Sequence, residues 1–297
     1  MAAPLLLDRE FLKTLEELTL LCREDMTGPI GADHRSRKHG PGMEFADYRV
    51  YSSGDDPRFL DWNAYLRLGK LFLKIFETER HVPVRILVDA SESMDCEEGA
   101  AESKFLYAQR LAATFSYLAL LRLDTTAVIP FADRLAKPIM VAGGRENFWP
   151  VLEFLSQLSC NGGTDIYRSV KEFVNNFPTR GVVIVISDFF DEAGCRRALE
   201  MLRSSGHDFV VLQVHSAEEQ RPSAFGELLL EEAETGELRT IECSREKSAL
   251  YERAFLEYST RLQRLALRNG GRYARAITSI PYQEFVLQSL RGGRVLS

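Results

Sequence analysis

From residue 84 onward, short apolar runs alternate with segments of helical periodicity, and this alternation constrains the fold more than any other feature. The run GVVIVISDFF at residues 181–190 is apolar on both faces, as strands buried in a parallel sheet are. The strand-like runs are 84–89, 125–132, 181–190, 208–216 and 272–279, and the helical segments are 103–122, 146–158, 166–177, 194–206 and 247–268. The pattern predicts an α/β domain over residues 81–297, with a doubly wound, mostly parallel sheet flanked by helices.

The first eighty residues have a different character. Helical spacing of apolar residues over 10–23 is followed by a polar, glycine-rich loop. Two strand-like segments, 43–51 and 70–79, then enclose a stretch that is dense in charges and aromatic rings. We expect residues 1–80 to form an N-terminal helix-plus-strand extension that packs on the main domain, because side chains such as Trp62 are too apolar to leave in water.

Charge and cysteine spacing narrow the class of protein. The formal net charge of -6 argues against a general nucleic-acid-binding role, because such proteins carry a basic surface to neutralise phosphates. The cysteines lie far apart without a CxxC pair, which favours a reducing compartment over a zinc ribbon or a disulfide framework. No stretch approaches the ~20 apolar residues that span a bilayer. We therefore expect a cytoplasmic protein without membrane insertion, whose partners are proteins or small ions.

The segment VRILVDASESM, residues 84–94, ends a strand with three oxygen-bearing side chains at alternate positions. Asp89, Ser91 and Ser93 project to one side of an extended chain, because side chains alternate with period two. Thr164 precedes a predicted helix and Asp188 ends a predicted strand at the same edge of the sheet. Two carboxylates and three hydroxyls suit a hard cation, so we predict a Mg2+ site, with Mn2+ or Ca2+ as alternative ions, that accepts an acidic group from outside.

These residues resemble the metal-ion-dependent adhesion site of von Willebrand factor A domains, whose pattern is Asp-x-Ser-x-Ser, then Thr, then Asp. The segment before the motif resembles the signature of the bacterial family known as domain of unknown function 58, which joins such a segment to an A-type domain. The signature positions are Gly54, Asp55, Asp56, Arg58, Asp61 and Trp62.

The resemblance implies a partner and a role. Members of this family are often encoded beside MoxR-type AAA+ ATPases, which implies an adaptor or chaperone-like function without enzymatic activity. The partner would offer an acidic residue to the metal held by Asp89, Ser91, Ser93, Thr164 and Asp188. Many members also carry transmembrane helices, and this sequence differs from them on that point.

Other interpretations remain open. The motif after the first strand could simply cap the following helix, since Asp and Ser are preferred N-cap residues, and the protein would then be a structural scaffold with a vestigial metal site. A metal-dependent phosphatase is less favoured, because its Asp-x-Asp pattern uses the second aspartate as an acid and base, and Ser91 stands at that position. For the segment Gly54–Trp62, a structural role is favoured over a second binding surface, because pairing of Arg49 and Arg58 with carboxylates would tie the N-terminal region to the sheet.

Overall fold

The computed structural model describes residues 6–25, 35–36, 44–52, 55–79, 82–95, 102–231 and 237–291. The chain divides into two compact units. The large unit contains Met1–Cys22 and Val82–Ser297, and the small unit contains Arg23–His81.

The large unit is built on a six-stranded sheet. In chain order its strands are β4 (Val84–Asp89), β5 (Thr126–Phe131), β6 (Ile139–Val141), β7 (Val182–Ser187), β8 (Asp208–His215) and β11 (Arg272–Ile277). Their order across the sheet is β11-β8-β7-β4-β5-β6. Every neighbouring pair is parallel except β5 and β6, which form an antiparallel edge. Strands β4, β5 and β7 are buried along their whole length, which explains their nearly continuous apolar sequence.

Helices cover both faces of this sheet. The helices of the large unit are α1 (Arg9–Asp25, of which residues 9–22 belong to this unit), α3 (Lys104–Leu121), α4 (Phe148–Ser156), α5 (Ile166–Asn176), α6 (Glu192–Ser204), α7 (Ala217–Gln220), α8 (Arg245–Arg268) and α9 (Tyr282–Arg291). A separate hairpin pairs β9 (Gly226–Glu231) with β10 (Leu238–Cys243). The predicted fold class, an α/β domain with a doubly wound and mostly parallel sheet flanked by helices, is confirmed.

Each face of the sheet has its own hydrophobic core, and each core includes a different set of helices. Ile86 and Val88 of β4 belong to a core shared with α1, α3, α4 and α9. Leu87, between them in sequence, belongs to a second core shared with α5, α6 and α8. This alternation follows from the period of two along a strand, and it leaves the carboxyl ends of the strands as the edge where polar side chains can gather.

The small unit is built on an antiparallel pair of strands. β2 (Glu44–Val50) pairs with β3 (Phe72–Glu79), and β3 also pairs with the two-residue strand β1 (Arg35–Ser36). In the chain, α2 (Trp62–Leu68) comes between β2 and β3. Its N-cap Asp61 accepts hydrogen bonds from the backbone N–H groups of Asn63 and Ala64. Arg49 contacts Asp55 at 2.5 Å and Arg58 contacts Asp56 at 2.7 Å, so both arginines pair with carboxylates of the signature segment, as predicted.

Two features of the N-terminal region differ from expectation. The sequence assigns the first helix to an extension of residues 1–80, but α1 contributes Phe11 and Leu15 to a core of the large unit. Trp62, expected to be buried, is 60% exposed, and α2 has no buried residue. Asp61 takes the buried position at the start of α2, because its carboxylate caps the helix and accepts a hydrogen bond from the Tyr48 hydroxyl.

Within the described residues, no helix is long and apolar enough to cross a membrane.

Candidate metal centre

Two aspartates lie at the topological switch point of the sheet, at the carboxyl ends of two adjacent parallel strands. Asp89 is the last residue of β4, and Asp188 follows the last residue of β7. The chain passes from β4 to β5 and β6 on one side, and it returns to place β7 on the other side of β4. Connections that leave adjacent parallel strands in opposite directions open a crevice at the carboxyl ends, where α/β proteins bind ligands.

The turn after β4 brings three predicted ligands into contact. The backbone N–H and the hydroxyl of Ser91 both donate to Asp89 Oδ1, at 3.0 and 2.7 Å. A short 3-10 turn at Glu92–Asp95 follows, so Ser93 does not lie in the extended segment that the sequence predicts. The turn still brings the hydroxyl oxygens of Ser91 and Ser93 to 3.0 Å from each other. Asp89 and Ser91 are fully buried, so these oxygens face the interior of the site and not bulk water.

Asp188 extends this chain of oxygens from the neighbouring strand. Ser93 Oγ donates to Asp188 Oδ2 at 3.2 Å. The next residue, Phe189, has a φ of 61°, a left-handed conformation that costs a bulky residue roughly 1–3 kcal/mol. Gln213 Nε2 donates to the Asp188 carbonyl at 3.2 Å and the Tyr258 hydroxyl donates to the Phe189 carbonyl. These hydrogen bonds hold the bend that places Asp188 against the turn after β4.

Thr164 lies in the loop before α5, and this loop is bonded to the same turn. The backbone N–H of Asn161 donates to the Ala90 carbonyl at 2.8 Å, and that of Glu92 donates to the Gly162 carbonyl at 2.9 Å. Gly162 has a φ of 72°, which only glycine adopts without strain. The contacts above thus join four of the five predicted ligands side by side, and for Thr164 they fix the position of its loop.

Burial governs the electrostatics of the site. Removal from water, together with the nearby Asp188 carboxylate, raises the pKa of Asp89 to about 7. Hydrogen bonds to the carboxylate from Ser91 and from Ser187, whose Oγ donates to Asp89 Oδ2 at 2.6 Å, oppose this rise. The buried carboxylate of Asp89 therefore favours either a bound proton or a nearby cation.

A buried lysine that the sequence analysis missed lies beside Asp188. The Lys104 ammonium contacts Asp188 Oδ2 at 2.9 Å and also pairs with the carboxylate of Glu219, while only 2% of its side chain is exposed. The ring of Phe190 lies 5.6 Å from the ammonium. Burial lowers the pKa of Lys104, but the two carboxylates raise it further, so the net change is upward and the ammonium stays charged.

The position of Lys104 at the start of a helix is a signal that the sequence already contains. It is the first residue of α3, after the N-cap Ser103, and a positive charge at a helix N-terminus is unfavourable because the helix dipole is positive there. Glu219 comes from α7, where it completes a capping box with Ser216. A lysine at the start of a helix that is mostly buried signals a compensating carboxylate, but the sequence alone does not tell which one.

The donor set fits a hard divalent cation. It consists of carboxylate and hydroxyl oxygens only, which are the ligands that Mg2+ prefers, and it includes no soft sulfur or imidazole donor. Within the described residues, no group of three or more His, Cys, Asp or Glu side chains is arranged to hold a metal ion. The residues that would hold Mg2+ are Asp89, Ser91, Ser93, Thr164 and Asp188.

The family is set by a match over most of the chain. Residues 47–261 match the family model described as protein of unknown function DUF58. The chain belongs to the DUF58 family. This DUF58 protein is also 23% identical, over 235 residues, to the uncharacterized proteins Rv1480 of Mycobacterium tuberculosis and Mb1516 of Mycobacterium bovis. The alignment covers 78% of this chain and 74% of each relative.

Solved structures with similarity to the DUF58 protein come from several bacteria, and one of them is a von Willebrand factor type A protein. An aerotolerance-related membrane protein from Bacteroides fragilis aligns with 20% identity and a TM-score of 0.48, over 71% of this chain and 99% of that chain. BatB from Bacteroides thetaiotaomicron gives 21% identity and a TM-score of 0.45, over 71% and 98%. A von Willebrand factor type A protein from Catenulispora acidiphila gives 14% identity and a TM-score of 0.40, over 73% and 44%.

Proposed function

We propose that this protein is a non-enzymatic, Mg2+-dependent protein-interaction module that binds an acidic group of a partner protein. The partner we propose is a MoxR-type AAA+ ATPase, for which this chain would act as an adaptor or chaperone-like subunit. The A-type fold and the family membership support an interaction module, whereas the metal and the partner are the further step of this proposal.

The observation that carries the proposal is the chain of contacts from Asp89 through Ser91 and Ser93 to Asp188. Four side chains from two segments form this chain, in which each oxygen lies 2.7–3.2 Å from the next, and the last contact joins residues 95 positions apart. A helix cap needs only one such oxygen, so capping alone does not account for the arrangement.

Charge supports an acidic partner. A divalent cation bound there would supply a positive face, and a carboxylate is its natural hard ligand. The two aspartates formally balance the ion, and the serine and threonine hydroxyls add no charge. The chain's own residues would then bind and orient the ion, and the partner would complete its shell.

A structural scaffold is the second candidate, and Lys104 is the observation that favours it. The ammonium at 2.9 Å from Asp188 Oδ2 already neutralises part of the buried negative charge. In this alternative, Lys104 takes the electrostatic role of the ion, and partners bind elsewhere on the fold.

Calorimetry separates the two candidates. The MoxR-type ATPase is titrated into the wild-type protein in Mg2+, into the same protein in chelator, and into Asp89→Ala in Mg2+. We expect binding in the first case alone, while Asp89→Ala keeps a native circular dichroism spectrum because the lost ligand lies at a strand end. The control Asp191→Asn removes one carboxylate at the N-cap of α6, where asparagine also caps, and should bind normally.

Equal affinity in all three titrations would overturn the metal-bridged mechanism and leave the scaffold. A phosphatase assay on the purified protein in Mg2+ tests the enzymatic alternative. We expect no turnover, because Ser91, which stands where such enzymes place their acid and base, only donates its hydroxyl hydrogen to Asp89.

A further inference from the structure

The Lys104 ammonium is held between two carboxylates from different parts of the fold. It contacts Asp188 Oδ2, which also accepts the Ser93 hydroxyl, and it pairs with Glu219 on α7. The side chain is 2% exposed, and its charge opposes the dipole of the helix that it begins. A buried cation at such a position is costly unless the carboxylates around it compensate, so its location next to a predicted metal ligand calls for an explanation.

The formal charges give that explanation. Asp89, Asp188 and Glu219 carry three negative charges and Lys104 carries one positive charge, so the group has a formal charge of minus two. A divalent cation makes the loaded group neutral. Without the lysine, the loaded group would remain negative and would repel a carboxylate from a partner.

We propose that Lys104 determines the ligand specificity of this site, in that its ammonium weakens the binding of the divalent cation and strengthens the binding of a carboxylate to the loaded site. The inference rests on the proposed function, because it concerns the same metal centre. Lys104 competes with the cation for Asp188 Oδ2, and it repels the cation by like charge. Once the cation is bound, Lys104 pairs with Glu219 and its charge still favours an acidic ligand.

Glu219 acts in the opposite direction. Its carboxylate attracts the cation and draws the ammonium away from Asp188, but it also repels an incoming carboxylate. Removing the Lys104 charge should therefore strengthen cation binding and weaken carboxylate binding. Removing the Glu219 charge should do the opposite. This crossed pattern distinguishes a charge effect on the site from a general loss of structure, which would weaken both affinities in both variants.

Two variants and one control test this pattern. Lys104→Met keeps most of the length of the buried side chain and removes its charge. Glu219→Gln removes the carboxylate but keeps the capping box of α7, since glutamine also fills that position. Lys171→Met makes the same charge change as Lys104→Met at an exposed position on α5.

The experiment uses the full chain. Calorimetry measures the affinity for Mg2+, and water-proton relaxation of the Mn2+-loaded protein measures the affinity for acetate, which displaces water from the bound ion. Lys104→Met should bind Mg2+ more tightly, by about ten- to a hundredfold, and the Mn2+-loaded form should bind acetate more weakly. Glu219→Gln should show the reverse in both measurements. Lys171→Met should match the wild type.

The outcomes separate this inference from the proposed function. If the wild type binds neither Mg2+ nor Mn2+, the proposed function fails and the inference fails with it. If the wild type binds both ions but the Lys104 and Glu219 variants change neither affinity, or change them in the same sense, the inference alone is wrong. Should Lys104→Met fail to fold, Glu219→Gln still decides the matter through its weaker Mg2+ binding and tighter acetate binding.

Discussion

Replacing Asp89 by asparagine is expected to stabilise the metal-free protein and to abolish its response to Mg2+. Asparagine has nearly the same shape and can still accept a hydrogen bond from Ser91 or Ser187, whose hydroxyls contact the two carboxylate oxygens at 2.7 and 2.6 Å. What the change removes is a fully buried negative charge beside Asp188. A residue that destabilises the metal-free protein but is needed for metal binding is kept for function and not for stability.

The pKa of Asp89 sets the size and the sign of this effect. It is raised from 3.8 to about 7, chiefly by burial and then by Asp188, which corresponds to on the order of 4 kcal/mol of disfavoured charge. Because the native pKa lies above the unfolded value, the stability that Asp89 contributes is present below about pH 4 and is lost as pH rises to about 7. The asparagine variant has no such loss, so its advantage should grow over that range and stay constant at higher pH.

The assay is thermal unfolding followed by circular dichroism, in chelator and in excess Mg2+, at several pH values between 5 and 8. After allowance for the weaker hydrogen bonds of an amide, we expect Asp89→Asn to gain about 1–3 kcal/mol at pH 8 in chelator, or roughly 2–10 °C in melting temperature. The wild type should gain ~2.7 kcal/mol when Mg2+ is at a hundredfold excess over its dissociation constant. The control Asp191→Asn should retain that gain.

The opposite sign would refute the reasoning. If Asp89→Asn melts below the wild type in chelator at pH 8, the carboxylate is already compensated in the empty protein. If the variant still gains stability from Mg2+, Asp89 is not a ligand.

Three further predictions follow from individual contacts. Thr164→Ala should reduce the Mg2+-induced rise in melting temperature, and an unchanged rise would remove Thr164 from the ligand set. Ser187→Ala should weaken Mg2+ binding in calorimetry and lower stability by about 1–3 kcal/mol, because it removes the donor to Asp89 and the acceptor for the Phe189 N–H, at 3.0 Å. Leu15→Ala should lower the free energy of unfolding in urea by about 2–5 kcal/mol, since Leu15 is fully buried, and a loss below 1 kcal/mol would contradict the packing of α1 in the large unit.

Local chemistry made the fold class and most of the candidate site predictable from the sequence. The period of a strand or helix is written in consecutive residues, so the alternation from residue 84 onward identifies an α/β domain without knowledge of any tertiary contact. Asp89, Ser91 and Ser93 lie within five consecutive residues at the end of a buried strand. Only Asp89 lies on the strand, and Ser93 lies in the 3-10 turn Glu92–Asp95, so closeness along the chain and not the strand period groups the three side chains.

Other features depend on which segments become neighbours, and the tertiary structure alone decided them. Asp188 reaches Ser93 only because β7 lies beside β4, and Lys104 reaches Asp188 and Glu219 only because the start of α3 and α7 meet at the same edge. Burial of a charge is likewise a property of the assembled fold. The sequence by itself thus determined the α/β architecture and the Asp-x-Ser-x-Ser motif. The buried ammonium next to that motif emerged only when residues 84 and 115 positions apart came into contact, because electrostatic energy depends on distance in space and not along the chain.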